Sequence, residues 1–105
     1  MKLYTDKIQT AKLIELGFEK PKGLADAEPS SGKWVRPAYS IGELIEMLPR
    51  IILPLHCRKI IGVSVEYSFD DPFGSTPPLY LICQGSELID NLYDAVVKLK
   101  EEGVI

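Results

Sequence analysis

Residues 59–105, KIIGVSVEYSFDDPFGSTPPLYLICQGSELIDNLYDAVVKLKEEGVI, decide the fold of this chain. Within them 60–69 alternate: Ile61, Val63, Val65, Tyr67 and Phe69 fall on one side, Gly62, Ser64, Glu66 and Ser68 on the other. That period of two marks a half-buried strand. The turn-rich stretch DDPFGSTPP then leads to 79–84, with Leu79, Leu81 and Cys83 on one face and Tyr80 and Ile82 on the other. From about 87 to 102 the period changes. Leu88, Ile89, Leu92, Ala95, Val96 and Leu99 form one helical stripe. Acidic Glu87, Asp90 and Asp94 come early and Lys98 and Lys100 late, as the helix dipole prefers. Gly103 fits the left-handed position after a helix, with Val104 returning towards Leu99. The expectation is an antiparallel hairpin, about 59–69/79–84, under a helix. Ile61, Val63, Val65, Leu79, Leu81 and Cys83 should face Leu88, Leu92, Val96 and Leu99.

Upstream, Thr5 or Asp6 can cap a helix over about 6–16 that turns Ile8, Ala11, Leu13 and Ile14 inward. Gly17 should end it and Phe18 fold back. Residues 19–32, EKPKGLADAEPSSG, hold two prolines, two glycines and one large aliphatic side chain, Leu24, so a flexible loop is expected. Residues 33–39 can form a short strand that Pro37 confines to an edge. Ser40 and Glu43 have the spacing of a capping box, with Tyr39 placed to staple onto Leu44. That helix should run over about 41–48 and stop before Pro49. Residues 50–58, RIILPLHCR, read as a buried connector. The fold class is therefore α+β: one domain over 1–105, three helices and an antiparallel sheet of two or three strands.

Composition narrows the function classes. With 105 residues, 46 % hydrophobic and 26 % charged, the chain can bury a core without metal or disulfide support. A net charge of −3 argues against a nucleic-acid partner, since phosphate neutralisation carries most of that affinity. The densest basic segment is Arg50, His56, Arg58 and Lys59. It keeps a nucleic-acid-associated factor open as the alternative function. Two cysteines make no secreted disulfide framework. Residues 1–9 lack an apolar signal region, and no run approaches the ~20 apolar residues of a membrane helix. The cytoplasm is the expected location.

No constellation carries chemistry. Cys57 as nucleophile would need a base within reach, and His56 beside it in an extended segment points the other way. A small enzyme built on Cys57 or His56 is the weakest of three alternatives. One histidine and two distant cysteines match no zinc spacing, and Asp70-Asp71 lacks the ladder of a calcium loop. No catalytic, cofactor or metal residues are expected, and no cofactor. What remains is surface. Trp34, Phe73, Tyr80 and Ile82 are the candidate interaction residues, because aromatic anchors and uncovered apolar patches mark partners.

The segments AYSIGELIEMLP (38–49) and GSELIDNLYDAVVKLKEEGVI (85–105), separated by a two-strand element, resemble small uncharacterised proteins of bacterial prophages and conjugative transposons. The resemblance covers about 5–18 and 38–105. It implies a bacterial, cytoplasmic context and no activity. The expected function is a non-catalytic accessory or protein-interaction module with a protein partner. A homodimer through the 60–69 strand, if that strand lies at an edge, or through the Tyr80/Ile82 face is a further expectation.

Overall fold

A computed structural model of the chain describes residues 2–26, 35–52, 56–69 and 79–105. Along them lie α1 (Lys7–Glu15), β1 (Gly23–Asp26), β2 (Val35–Ala38), α2 (Ile41–Met47) and β3 (Ile51–Ile52). Then follow β4 (His56–Ile61), β5 (Ser64–Phe69), β6 (Leu79–Cys83) and α3 (Leu88–Glu101). The class is α+β, with antiparallel pairing throughout. Strands β3-β4-β5-β6 form one sheet in chain order, and β1-β2 a separate ribbon.

The expected strand over 60–69 is two strands. Ile61 pairs with Ser64, which leaves Gly62 and Val63 as a two-residue loop. Gly62 has φ +61°, a conformation glycine adopts without a Cβ clash, and a tight hairpin of type II′ takes glycine at that first loop position. Reversal there removes Ile61 and Val63 from the core: they are 64 % and 40 % exposed. Val65 and Tyr67 stay fully buried. The alternation holds over residues 64–67 of β5, but Ile60 and Ile61 are both exposed, and a period of two passes through a tight turn without a visible break.

Within the stretch expected to be a buried connector, residues 51–52 and 56–58 are strand, and residues 53–55 lie outside the described residues. Ile51 and Ile52 pair with Cys57 and His56, and β4 lies between β3 and β5. β5 lies inside the sheet between β4 and β6, so it is not the edge strand expected over 60–69, while β3 covers only His56 and Cys57 of β4. At the far side β6 carries a bulge. Tyr67 pairs with Leu81 and Ser68 with Leu79, so Tyr80 is an extra residue on its strand.

The core lies between this sheet and α3, closed by α2. Ile89, Leu92, Ala95, Val96 and Leu99 pack in one buried cluster with Val65, Tyr67, Cys83, Leu44 and Leu48. Helix α3 ends as expected. Gly103 has φ +76°, and the Val104 amide donates to the Leu99 carbonyl at 2.9 Å. Ile105 packs against the cluster, while Val104 is exposed.

Polar anchors fix the register of these layers. Asn91, buried on α3, donates to the carbonyls of Val63 (2.7 Å) and Gly85 (2.9 Å) and accepts from the Gly85 amide (2.6 Å). It ties the β4–β5 turn and the loop before α3 to one side chain. A Cβ on Gly85 would stand 2.9 Å from Asn91 Oδ1, so the loop needs glycine there. Arg58 Nη1 donates to the carbonyls of Leu48 (2.8 Å) and Ile45 (3.0 Å) at the end of α2, the latter also accepting from the Leu48 amide. Beside it Tyr67 donates its hydroxyl to Pro49 O at 2.6 Å. Burial pushes the Tyr67 phenol up to about 12, against an opposing pull from Arg58.

Both forecast caps of α1 and α2 are present. Asp6 and Gln9 form a capping box on α1, Ser40 and Glu43 on α2. The segment expected to be a flexible loop holds β1, because residues 23–26 find 35–38 as a partner. Pro37 sits opposite Leu24, in a ribbon where each strand has a free edge and tolerates the missing donor. Glu43 extends its capping role to this ribbon. Its carboxylate accepts from the amides of Lys22 (3.0 Å), Gly23 (3.1 Å) and Ser40 (3.2 Å). Burial alone would raise its pKa, but those amides together hold it below the usual carboxylate value. Gly23 approaches too closely for a side chain: a Cβ would lie 2.7 Å from Ala38 O.

Candidate functional site

Helix α1 is rotated from the expectation: Leu13 is buried as expected, but Ile8, Ala11 and Ile14 are not. Its buried residues are Thr10 and Leu13, whereas Ile8 is 81 % exposed, Ile14 40 % exposed, and Ala11 exposed as well. The turn is set by the polar groups of Asp6, Gln9 and Thr10, which share one helical face with buried Leu13. Gln9 Nε2 donates to Asp90 Oδ1 at 2.8 Å, and Lys2 Nζ donates to the same oxygen at 2.7 Å. The Lys2 hydrogen bond, foremost, holds the Asp90 carboxyl below its ordinary value; burial opposes it and Gln9 assists. The buried hydroxyls of Thr5 and Thr10 lie 2.7 Å apart, and the Tyr39 amide donates to Thr5 Oγ1 at 3.0 Å. With that face pinned to α3 and β2, the aliphatic face must look out.

Against this outer face runs the ribbon. Lys7, Thr10, Ala11, Ile14, Arg36 and Pro37 line a groove of about 280 Å³ between α1 and β2. Pro37 is exposed, and its cross-strand partner Leu24 is 58 % exposed, so the apolar surface continues onto the ribbon. Arg36 Nη2 donates to Thr5 O at 2.8 Å.

Of the residues singled out from sequence, Trp34 and Phe73 lie outside the described residues, and Tyr80 is described only as backbone. Ile82 is half-buried, opposite Glu66 on the sheet face away from α3. The structure therefore joins none of the described candidates into a patch. The surface it does display, Ile8, Ala11, Ile14, Leu24 and Pro37, was assigned to core or loop. The available signal was the run of polar residues at Asp6, Gln9 and Thr10, which share the face of Leu13.

Two other concavities are less suited to a ligand. Pro49, Ile51, Ile52, Gly103, Val104 and Ile105 line a groove of about 400 Å³ that has no charged side chain. A third, about 220 Å³, contains Tyr39 and Glu43, whose polar atoms already hold the chain: the Tyr39 hydroxyl donates to Glu19 O. Among the described residues the basic segment does not converge. Arg58 faces the core beneath α2, and Lys59, next to it on β4, is directed to the other face of the sheet. Cys57 is half-buried opposite Ser68, and burial raises the pKa of the Cys83 thiol. Among the described residues no three His, Cys, Asp or Glu side chains gather as a metal would require, and no helix is long and apolar enough to cross a membrane.

Comparison with protein-family models, curated proteins and solved structures returns no match. The surface itself is the guide to function.

Proposed function

We propose that the chain is a non-catalytic protein-interaction module that docks a partner along the outer face of α1 and the adjoining ribbon. One observation carries the reading: an aliphatic row, Ile8, Ala11 and Ile14, stays in water on a helix whose other face is fixed by hydrogen bonds. Single exposed aliphatics are ordinary, but a row that continues over Pro37 and Leu24 has the character of a docking surface. The engagement of Arg58 with α2 carbonyls weighs against a nucleic-acid role for the basic segment. An accessory role on a mobile element is part of the proposal on the resemblance alone.

The test compares affinity capture from host extract by the intact chain and by an Ile8→Glu/Ile14→Glu variant. Equal thermal midpoints first establish that both are folded. A protein retained by the first and lost by the second supports the reading. Identical capture by both removes α1 from the function.

A further inference from the structure

The groove between α1 and β2 contains a guanidinium whose bonding is incomplete. Arg36 Nη2 has the Thr5 carbonyl, but Nη1 is buried with no acceptor. No described carboxylate forms an ion pair with Arg36. Lys7 stands on the same wall, and among the described residues no acidic side chain lines the groove. The other lining residues, Thr10, Ala11, Ile14 and Pro37, present mostly carbon, since the Thr10 hydroxyl is engaged by Thr5 and the Asp6 carbonyl. Arg36 is half-buried overall, and a guanidinium with a shielded, unbonded nitrogen and no described counter-charge has given up water for too few acceptors. The group that repairs this is a carboxylate, whose two oxygens match the planar fork of a guanidinium.

We infer that the groove receives an acidic segment of a partner protein. An aliphatic side chain of that segment rests on Ala11, Ile14 and Pro37. A neighbouring Asp or Glu carboxylate accepts from Arg36, and Lys7 adds attraction at the rim. The inference rests on the interaction-module reading and specifies its partner class. It uses two features that point to one ligand chemistry: an apolar floor and an unmatched positive charge.

The experiment is a selection of random dodecamer peptides displayed on phage against the intact chain, with counter-selection against Ile14→Glu. Ile14 is exposed, so that variant keeps its core. Recovered peptides should carry Asp or Glu next to an aliphatic residue. As free peptides they should bind about tenfold tighter than their Gln or Asn versions, the scale of one charge-assisted hydrogen bond. Arg36→Gln should bring that ratio close to one. Because Arg36 also holds the Thr5 carbonyl, Lys7→Gln serves as a variant remote from the core; it should weaken the acidic peptides severalfold and flatten their salt dependence. Peptides that need Ile14 but are neutral or basic, or that ignore both substitutions, overturn the acidic partner and leave the docking surface standing. A selection yielding nothing dependent on Ile14 overturns the surface as well.

Discussion

Helix α3 turns Ile89, Leu92, Ala95, Val96 and Leu99 into the core, whereas α1 leaves Ile8, Ala11 and Ile14 in water. The two helices carry comparable aliphatic rows, and both are also held by buried polar side chains. They differ in which face those polar groups occupy. On α3 Asn91 sits within the buried face and bonds the β4–β5 turn, so polar and apolar anchoring agree. On α1 Gln9 and Thr10 lie away from the aliphatic row, and their bonds to Asp90 and Thr5 decide the rotation. A nine-residue helix buries too little apolar area to override several such bonds. An aliphatic row therefore identifies a face, and its neighbours decide whether that face is buried or left in water.

The comparison breaks most readily at Leu92. Leu92→Ala empties a fully buried site among α3, α2 and the sheet, and should cost about 2–5 kcal/mol. Urea unfolding measures it. A loss under about 1 kcal/mol would mean that α3 is no better buried than α1. Asn91→Ala comes next, at about 3 kcal/mol. It leaves the Gly85 amide and two carbonyls without their partner and empties a buried side-chain position. Hydrogen exchange should accelerate first at the Gly62–Val63 turn and the 84–87 loop. Protection unchanged there would show that Asn91 is not the anchor.

How far sequence reaches follows from the same contrast. The Ser40–Glu43 capping box, the extent of α3 and its glycine end were legible because each depends on residues within about four positions. The β4–β5 turn was not, because Gly62 interrupts neither the aliphatic alternation nor the β-branched composition around it. The β1–β2 ribbon escaped notice because its pairing joins residues 23–26 to 35–38 and is held by Glu43, a residue with an adequate local role at Ser40. For the site, Ile82 was the only side chain of the expected surface that is described, and it is half-buried. The surface on α1 was missed because its outward rotation depends on Asp90, some eighty positions away along the chain.

Alkaline titration sharpens the α3 side through Tyr67. Its phenol has a pKa raised to about 12 by burial, against an unfolded value of 10.0. Below pH 10 both states keep the proton, and the stability is intact. Above it the unfolded chain loses the proton first, so stability falls as pH rises, by about 2 kcal/mol at pH 12 from this group. Urea unfolding between pH 9 and 12 should show that slope, reduced in Tyr67→Phe. An equal slope in the variant would assign the loss to other groups.

The smallest effect is the one that tests α1. Ile8→Gln removes an aliphatic side chain that is 81 % exposed and touches no core cluster, so the folded chain surrenders almost no buried area. Its stability should change by less than about 0.5 kcal/mol, as surface substitutions do. Glutamine has helix propensity at least equal to that of isoleucine, which removes local preference as a confounding cost. The paired substitution Leu13→Gln, one face round, should cost several kcal/mol because it buries an amide without partners. If Ile8→Gln instead destabilises the chain by 1 kcal/mol or more, the row packs against something in the isolated protein, and α1 belongs with α3 as core. A stable variant that no longer captures the partner leaves one account of the row: it is kept in water until another protein covers it.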